Sequence, residues 1–297
     1  MSRHRQGIWF GVAAYTTWGV APAFWKLLGD VPALQQMAHR VVWAVPLLAA
    51  AVLLLGRRAV LARAAGTPGT VVVTAMSAAL LAANWGVFVW AIADERIVEV
   101  SLGYFINPLL SVALGVVLLR ERLRPAQVVA VALATAGVAY MTIRLGELPW
   151  VSLVLAGTFA LYGLLKKRPE AAPPLEGLLG ETIVAGIPAL VFILIAGSGG
   201  DGAFGAEWGD TLLLVATGAV TATPLLLFGA AAQRVPLSTV GLLQYLAPSL
   251  QFLLGVAAYG ESVTSDQLVG FGFVWVALAV FTADNMRAAR RDATLPV

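Results

Sequence analysis

The sequence predicts an all-helical membrane protein: ten crossing helices arranged as two inverted repeats of five. Three observations carry this expectation. Of 297 residues, 60% are apolar and 12% are charged, against roughly 45–50% and about 25% in an ordinary soluble domain. Buried in a water-soluble fold, that composition would leave large exposed apolar patches. Ten apolar runs each approach the ~20 residues that cross a bilayer core, and the second five runs repeat the first.

The first run, 7–26, follows Arg3 and Arg5. Gly7 to Trp25 is 19 uncharged residues, longer than the ~7–15 of a signal-peptide core, so it reads as a retained helix. Runs at 33–56 and 70–93 come next, separated by a segment that holds Arg57, Arg58 and Arg63. The fourth and fifth, 100–119 and 125–143, are parted by Arg120-Glu121-Arg122-Leu123-Arg124. The remaining five are 148–165, 175–197, 211–233, 236–259 and 267–284. The longest connection, around Ser198–Asp210, is glycine-rich and acidic and too short for a soluble domain. The period-2 alternation of an outer-membrane barrel is missing.

Lys and Arg collect on the cytoplasmic side of membrane proteins. With the N-terminus inside, fifteen basic residues fall in inner segments: Arg3, Arg5, Arg57, Arg58, Arg63, Arg120, Arg122, Arg124, Lys166, Lys167, Arg168, Arg234, Arg287, Arg290 and Arg291. The outer segments hold Lys26, Arg96 and Arg144, and Arg40 lies within the second span. Ten acids sit outside, among them Asp94, Glu95, Glu99, Asp201, Glu207, Asp210, Glu261 and Asp266. The asymmetry predicts an even number of spans with both termini cytoplasmic. It also makes the net charge of +3 a topology signal, so no nucleic-acid partner is expected. The absence of cysteine excludes disulfides, thiolate metal sites and iron–sulfur clusters, and His4 and His39 are too few for a histidine-rich zinc site. No phosphate-binding loop is present, so ATP is not the expected energy source. Neither a cofactor nor a metal is expected.

A shift of 140 residues lays Pro108 on Pro248, Leu114-Gly115-Val116 on Leu254-Gly255-Val256, Glu121 on Glu261, Gln127 on Gln267 and Phe88 on Phe228. A shift of 141 pairs Trp9 with Trp150 and Lys26 with Lys167, and a shift of 142 pairs Pro46 with Pro188. The unit, 1–145, holds five spans, so its copy, 146–297, enters the membrane from the opposite side. Inverted repeats recur in secondary transporters, which bind their solute near the bilayer midplane. Pro46, Pro108, Pro188 and Pro248 are read as hinges, because each removes a helical hydrogen bond; a plain packing bend is the competing reading.

Charges at membrane depth face a cavity or a partner. Two spans carry them: His39-Arg40 in the second and Glu181 in the seventh, with His39 falling on Glu181 at a shift of 142. Arg40 is expected to attract a carboxylate or other anionic group. Glu181 is expected to carry a proton or bind an ammonium, with His39 as a second titratable group. A bundle-fixing pair without a substrate role is the alternative. Asn84, Tyr104, Asn107, Gln244, Tyr15 and Trp18 complete the candidate cavity, while Gln251 reads as interhelical glue. An intramembrane enzyme would need a nucleophile with a base or paired aspartates. Neither is present at membrane depth, and Gly199-Gly200-Asp201 lies in an outer loop, so no catalytic residue is assigned. An assembly role without transport is the other alternative.

Several segments carry a family resemblance: Ala14-Tyr15, Trp18-Gly19, Ala21-Pro22, His39-Arg40-Val41, Asn84-Trp85 and the run Ser101-Leu102-Gly103-Tyr104-Phe105-Ile106-Asn107-Pro108-Leu109. Leu237-Ser238-Thr239, Gln244-Tyr245, Tyr259-Gly260-Glu261 and Trp275-Val276-Ala277-Leu278-Ala279 continue it to the end of the chain. With these the sequence resembles the RarD group of the EamA family, within the drug/metabolite transporter superfamily. The resemblance implies a permease of the bacterial inner membrane with ten helices in two five-helix repeats. It also implies export of an amino acid, metabolite or drug. The inverted repeat with Arg40 and Glu181 adds the expectation of a small amphipathic or zwitterionic solute moved across the bilayer by alternating access, with protons as a further partner. The cavity then lies between the halves, which places His39, Arg40, Asn84, Tyr104, Asn107, Glu181 and Gln244 by position.

Overall fold

The computed structural model describes residues 2–145, 149–200, 202–260 and 263–294, and the regular elements among them are all helical. They are α1 (Arg3–Trp25), a 3-10 turn (Lys26–Leu28), α2 (Ala33–Leu54), α3 (Arg58–Ala65), α4 (Pro68–Ala93), α5 (Ile97–Val117), α6 (Pro125–Leu145), α7 (Trp150–Leu165), α8 (Pro174–Ser198), α9 (Trp208–Ala232), α10 (Leu237–Gln244), α11 (Leu246–Tyr259) and α12 (Ser265–Thr294). Glu261 and Asp201, singled out in the sequence, lie outside the described residues.

Helices occupy all ten apolar runs, and eight of these spans are long and apolar enough to cross a membrane. The two outside that set are α1, whose first turn carries Arg3 and Arg5, and α7, at 16 residues. At 1.5 Å per residue, α7 is about 24 Å long, short of the ~30 Å core. Proline opens α4 and α8 at a first-turn position where no N–H is needed. Gly260, at φ +66°, ends α11 in the left-handed conformation that glycine adopts without strain.

Two local features depart from the expected pattern. The basic segment after α2 folds as the short helix α3, none of whose residues is buried. The ninth run is interrupted at Tyr245, which separates α10 from α11. Pro248 thereby falls in the first turn of α11, while α2, α5 and α8 run unbroken through Pro46, Pro108 and Pro188.

Packing neighbours define the architecture. In order, α1, α9, α2, α8, α4, α7, α5 and the α10–α11 unit each touch the next, and the last returns to α1. Helices of the first and second halves of the chain alternate around this ring. The α6–α12 pair lies outside it, against α5 and α10. Neither half is therefore a separate packing unit. The ring is tight where glycine removes a side chain: a Cβ on Gly218 of α9 would sit 2.5 Å from the Trp43 carbonyl carbon of α2. Gly7 and Gly11 of α1 admit Val235 and Leu243 in the same way, the close packing that small residues permit between membrane helices. Outside, Ile187, Leu190, Leu194 and Ile195 of α8 and Val128 and Val129 of α6 are exposed, an apolar surface suited to lipid.

Ion pairs fasten both ends of the bundle. Where α2 ends and α8 begins, Arg57 donates to both Glu176 oxygens (2.5 and 3.0 Å), and Arg124 ties the α5–α6 turn to Asp284 and Asn285 of α12 (both 2.6 Å). At that same end Glu121 accepts from the Leu237 and Ser238 N–H groups (2.6 and 2.8 Å) and from the Ser238 hydroxyl (2.7 Å). A carboxylate there satisfies free donors of α10 and meets the positive end of its dipole. At the opposite end Asp266 accepts from Tyr140 and Arg144.

A candidate substrate cavity

The ring encloses a cavity of about 710 Å³, lined from α1, α2, α4, α5, α7, α9 and α10–α11. Its wall runs from helix ends marked by Trp25, Lys26, Ala33, Ile92 and Val100 to mid-helix level at Tyr15, Leu225 and Gln244. It thus occupies one half of the bundle's depth. Below it the space is filled by rings. Trp18 meets Phe159 (5.8 Å) and Phe228 (6.1 Å), and Tyr162 stacks on Phe228 at 5.7 Å and 16°. Tyr162 and Phe228 are fully buried and form an aromatic floor.

Seven of the nine residues expected in a cavity line it: Arg40, Asn84, Tyr104, Asn107, Gln244, Tyr15 and Trp18. The Arg40 guanidinium lies 4.7 Å from the Trp85 ring and 5.3 Å from the Trp25 ring, within cation–π range. Asn84 donates to the Leu155 carbonyl and the Thr158 hydroxyl (both 2.8 Å) and so binds α4 to α7. Asn107 is buried, with the Ser111 hydroxyl 3.5 Å from its side-chain oxygen. Gln251 also lines the cavity while donating to the Trp18 carbonyl (3.2 Å), the bridging role expected of it.

The other two residues are elsewhere. His39 accepts from Trp43 Nε1 (3.2 Å), stacks on Phe204 (5.3 Å) and borders a separate, smaller pocket. Successive helical residues are about 100° apart, so Arg40 and His39 cannot face the same space. Glu181 occupies the repeat position of His39 and likewise points away from the cavity. It is paired with Lys166 and accepts from the Tyr162 hydroxyl (3.1 Å), all three groups being buried below the aromatic floor. Arg40 and Glu181 are not brought together. The counterpart of Arg40 is Thr182, whose hydroxyl bonds back to Leu178 and Leu179. In the sequence Lys166 reads as an inner-loop charge; its spacing of four from Tyr162 is the sign that the two share a helix face.

The polar accounting of the cavity is incomplete. Five buried side-chain polar atoms among the described residues lack a hydrogen-bond partner: Tyr15 Oη, Arg40 Nε, Thr221 Oγ1, Gln244 Oε1 and Ser77 Oγ. All but Ser77 belong to residues of the cavity wall. Leaving such a group unpaired costs about 1–3 kcal/mol. Four such groups on residues that line one cavity mark it as the candidate binding site. Among the described residues the charged wall residues are Arg40 and Lys26, and none of the described wall residues is an acid. Among the described residues no group of three or more His, Cys, Asp or Glu is placed to hold a metal ion.

An apolar-faced helical ring around a largely apolar cavity set with a few polar groups defines an integral membrane protein with an internal cavity of small-molecule size. The family follows from comparison: the sequence model of the EamA-like transporter family matches residues 5–143 and again 148–283, and the chain belongs to that family. It is a membrane transporter of the RarD type. It is 46% identical to protein RarD of Streptomyces exfoliatus over 98% of this chain and 92% of that one. An uncharacterized transporter of Pseudomonas aeruginosa is 45% identical over 97% and 96%. A crystal structure at 20% identity has the same fold, with a TM-score of 0.75 over 94% of this chain and 98% of the other.

Proposed function

We propose that the protein is a secondary transporter that moves a small amphipathic solute outward across the bacterial inner membrane by alternating access. The observation that carries this is the cavity wall, where Tyr15, Arg40, Thr221 and Gln244 each hold a polar atom without a protein partner. All ten long units, α1 and α7 included, cross the bilayer in this reading, with both termini cytoplasmic. The chain divides into inverted repeats, 1–145 and 146–297, an assignment supported by the double family match and by the ring itself. Exchanging α1 with α7, α2 with α8, α4 with α9, α5 with α10–α11 and α6 with α12 maps its packing neighbours onto one another. Because the halves interdigitate, the moving bodies are mixed sets of helices, and one whole repeat does not rock against the other. Pro46, Pro108, Pro188 and Pro248 are assigned as flexing points. In the state described the cavity faces outward, and the aromatic floor with the Lys166–Glu181 pair forms the closed inner gate. Glu181 is the carboxyl assigned to proton coupling, acting at that gate with no contact to solute.

The test is flux from proteoliposomes of the purified protein, loaded with a mixed panel of amphipathic acids, amines and amino acids, with and without an imposed pH gradient. Selective release above protein-free liposomes is expected, faster with the gradient. No release from demonstrably folded protein, over a panel covering all three charge classes, overturns the transport reading. Release indifferent to the gradient removes the proton.

A further inference from the structure

We infer that the substrate is an amphipathic carboxylate: a monoanionic acid with a flat apolar body, docked on Arg40. This rests on the transporter reading of the cavity and goes beyond it by assigning the charge class. Among the described residues the wall presents two cations and no acid, and the carboxyl expected to receive a substrate ammonium, Glu181, lies away from the cavity. Among the described residues no carboxylate pairs with Arg40; its guanidinium lies over the faces of Trp25 and Trp85, and its Nε has no partner. Rings fix the position of an arginine without using its N–H donors. A planar fork of donors, flanked by ring faces on a residue that lines the cavity, matches a planar carboxylate.

The remainder of the wall describes the rest of the molecule. Trp85, Phe88 and Phe159 supply apolar faces, which stack best on a flat body. Lys26 stands at the outer end of the same wall, its ammonium 3.6 Å over the Tyr259 ring, and adds positive potential at the mouth. A phosphate dianion would call for more donors than one guanidinium inside the cavity. A substrate cation would meet Arg40 with no counter-charge.

The experiment uses one body with four head groups: 3-phenylpropanoate, 3-phenylpropanamide, 3-phenylpropylamine and phenylalanine. Binding to the purified full-length protein is read by quenching of tryptophan fluorescence, since Trp18, Trp25 and Trp85 line the cavity. A charge-assisted contact to a buried guanidinium favours the acid over the amide by about ten- to a hundredfold. The amine is expected to bind least, and the added ammonium of phenylalanine to bring no gain over the plain acid. Arg40→Gln should make acid and amide equal, and Arg40→Lys should restore part of the difference. Equal binding of amide and acid in the unsubstituted protein overturns the inference, as does an advantage that survives Arg40→Gln. Binding by none of the four overturns the substrate class and leaves the transport reading to the flux assay, so the two failures are distinguishable.

Discussion

Glu181 and Lys166 form an ion pair with side chains 2% and 5% exposed, and the Tyr162 hydroxyl donates to the same carboxylate. Neutralising one member leaves the other charged, buried and uncompensated, which costs about 3–5 kcal/mol. Replacing both by neutral side chains removes the desolvation penalty along with the attraction and is often neutral or stabilising. Glu181→Gln and Lys166→Met should therefore each destabilise strongly, and the double variant should recover most of the loss. At ~2–4 °C per kcal/mol for a chain of this general size, each single change lowers the unfolding midpoint by about 6–20 °C. Circular dichroism of the purified protein in mild detergent measures all four corners of the cycle. Two single variants within about 1 kcal/mol of the parent, or a double variant as unstable as the sum of the singles, would refute the buried pair. Flux from the stable double variant then separates the two roles of Glu181. Full transport makes the pair a fastening of the closed gate; lost transport in a protein of parental stability makes it part of the cycle.

Three further outcomes follow from packing and capping. Gly218→Ala places a methyl group against the α2 backbone, and it should cost about 1–3 kcal/mol as overpacking; Gly86→Ala, inside α4 with nothing within 4 Å of its Cβ, is the control in the same thermal scan and should instead gain up to about 1 kcal/mol. Glu121→Ala strips the acceptor from two N–H groups of α10. It should lower stability by about 1–2 kcal/mol and raise hydrogen exchange at Leu237 and Ser238 before the rest of the bundle. Burial lowers the Lys167 ammonium below the usual lysine value, with Glu121 opposing. The unfolded chain then binds more protons than the folded one at alkaline pH, so this group's contribution to stability rises as pH climbs through the window below the ordinary lysine value. The stability–pH profile of Lys167→Met, compared with the parent, should lack that rise.

The helices were legible because their cause is composition: a run of ~20 apolar residues has no other use in a bilayer. The residues of the cavity wall were legible for a related reason, since amides and aromatics inside such runs need partners or water. What failed was facing. His39 and Arg40 are adjacent in sequence and shared one assignment, yet a turn of 100° sends one to Phe204 and the other to Trp85. Glu181 matches His39 and not Arg40 in the repeat, and it too faces away from the cavity. Lys166 looked like a topology charge because charge counting is blind to burial, and the residue proved almost fully enclosed. The alternation of halves around the ring was not readable at all, because hydropathy locates spans along the chain and holds no information about which spans touch.

The break at Tyr245 has a bearing on energetics. Pro248 has no N–H for the Gln244 carbonyl, and Pro108, its repeat partner, has none for the Tyr104 carbonyl; both carbonyls belong to residues of the cavity wall. One of these helices is interrupted and the other continuous, and they lie against each other, with Tyr245 Oη donating to the Phe105 carbonyl at 3.2 Å. If the inward-facing state arises by the two halves trading conformations, the interruption passes from α10–α11 to α5, and α10–α11 becomes continuous. The two orphaned acceptors remain two throughout. Backbone hydrogen bonding then favours neither face of the membrane, and the gradients of solute and proton are left to set the direction of the cycle.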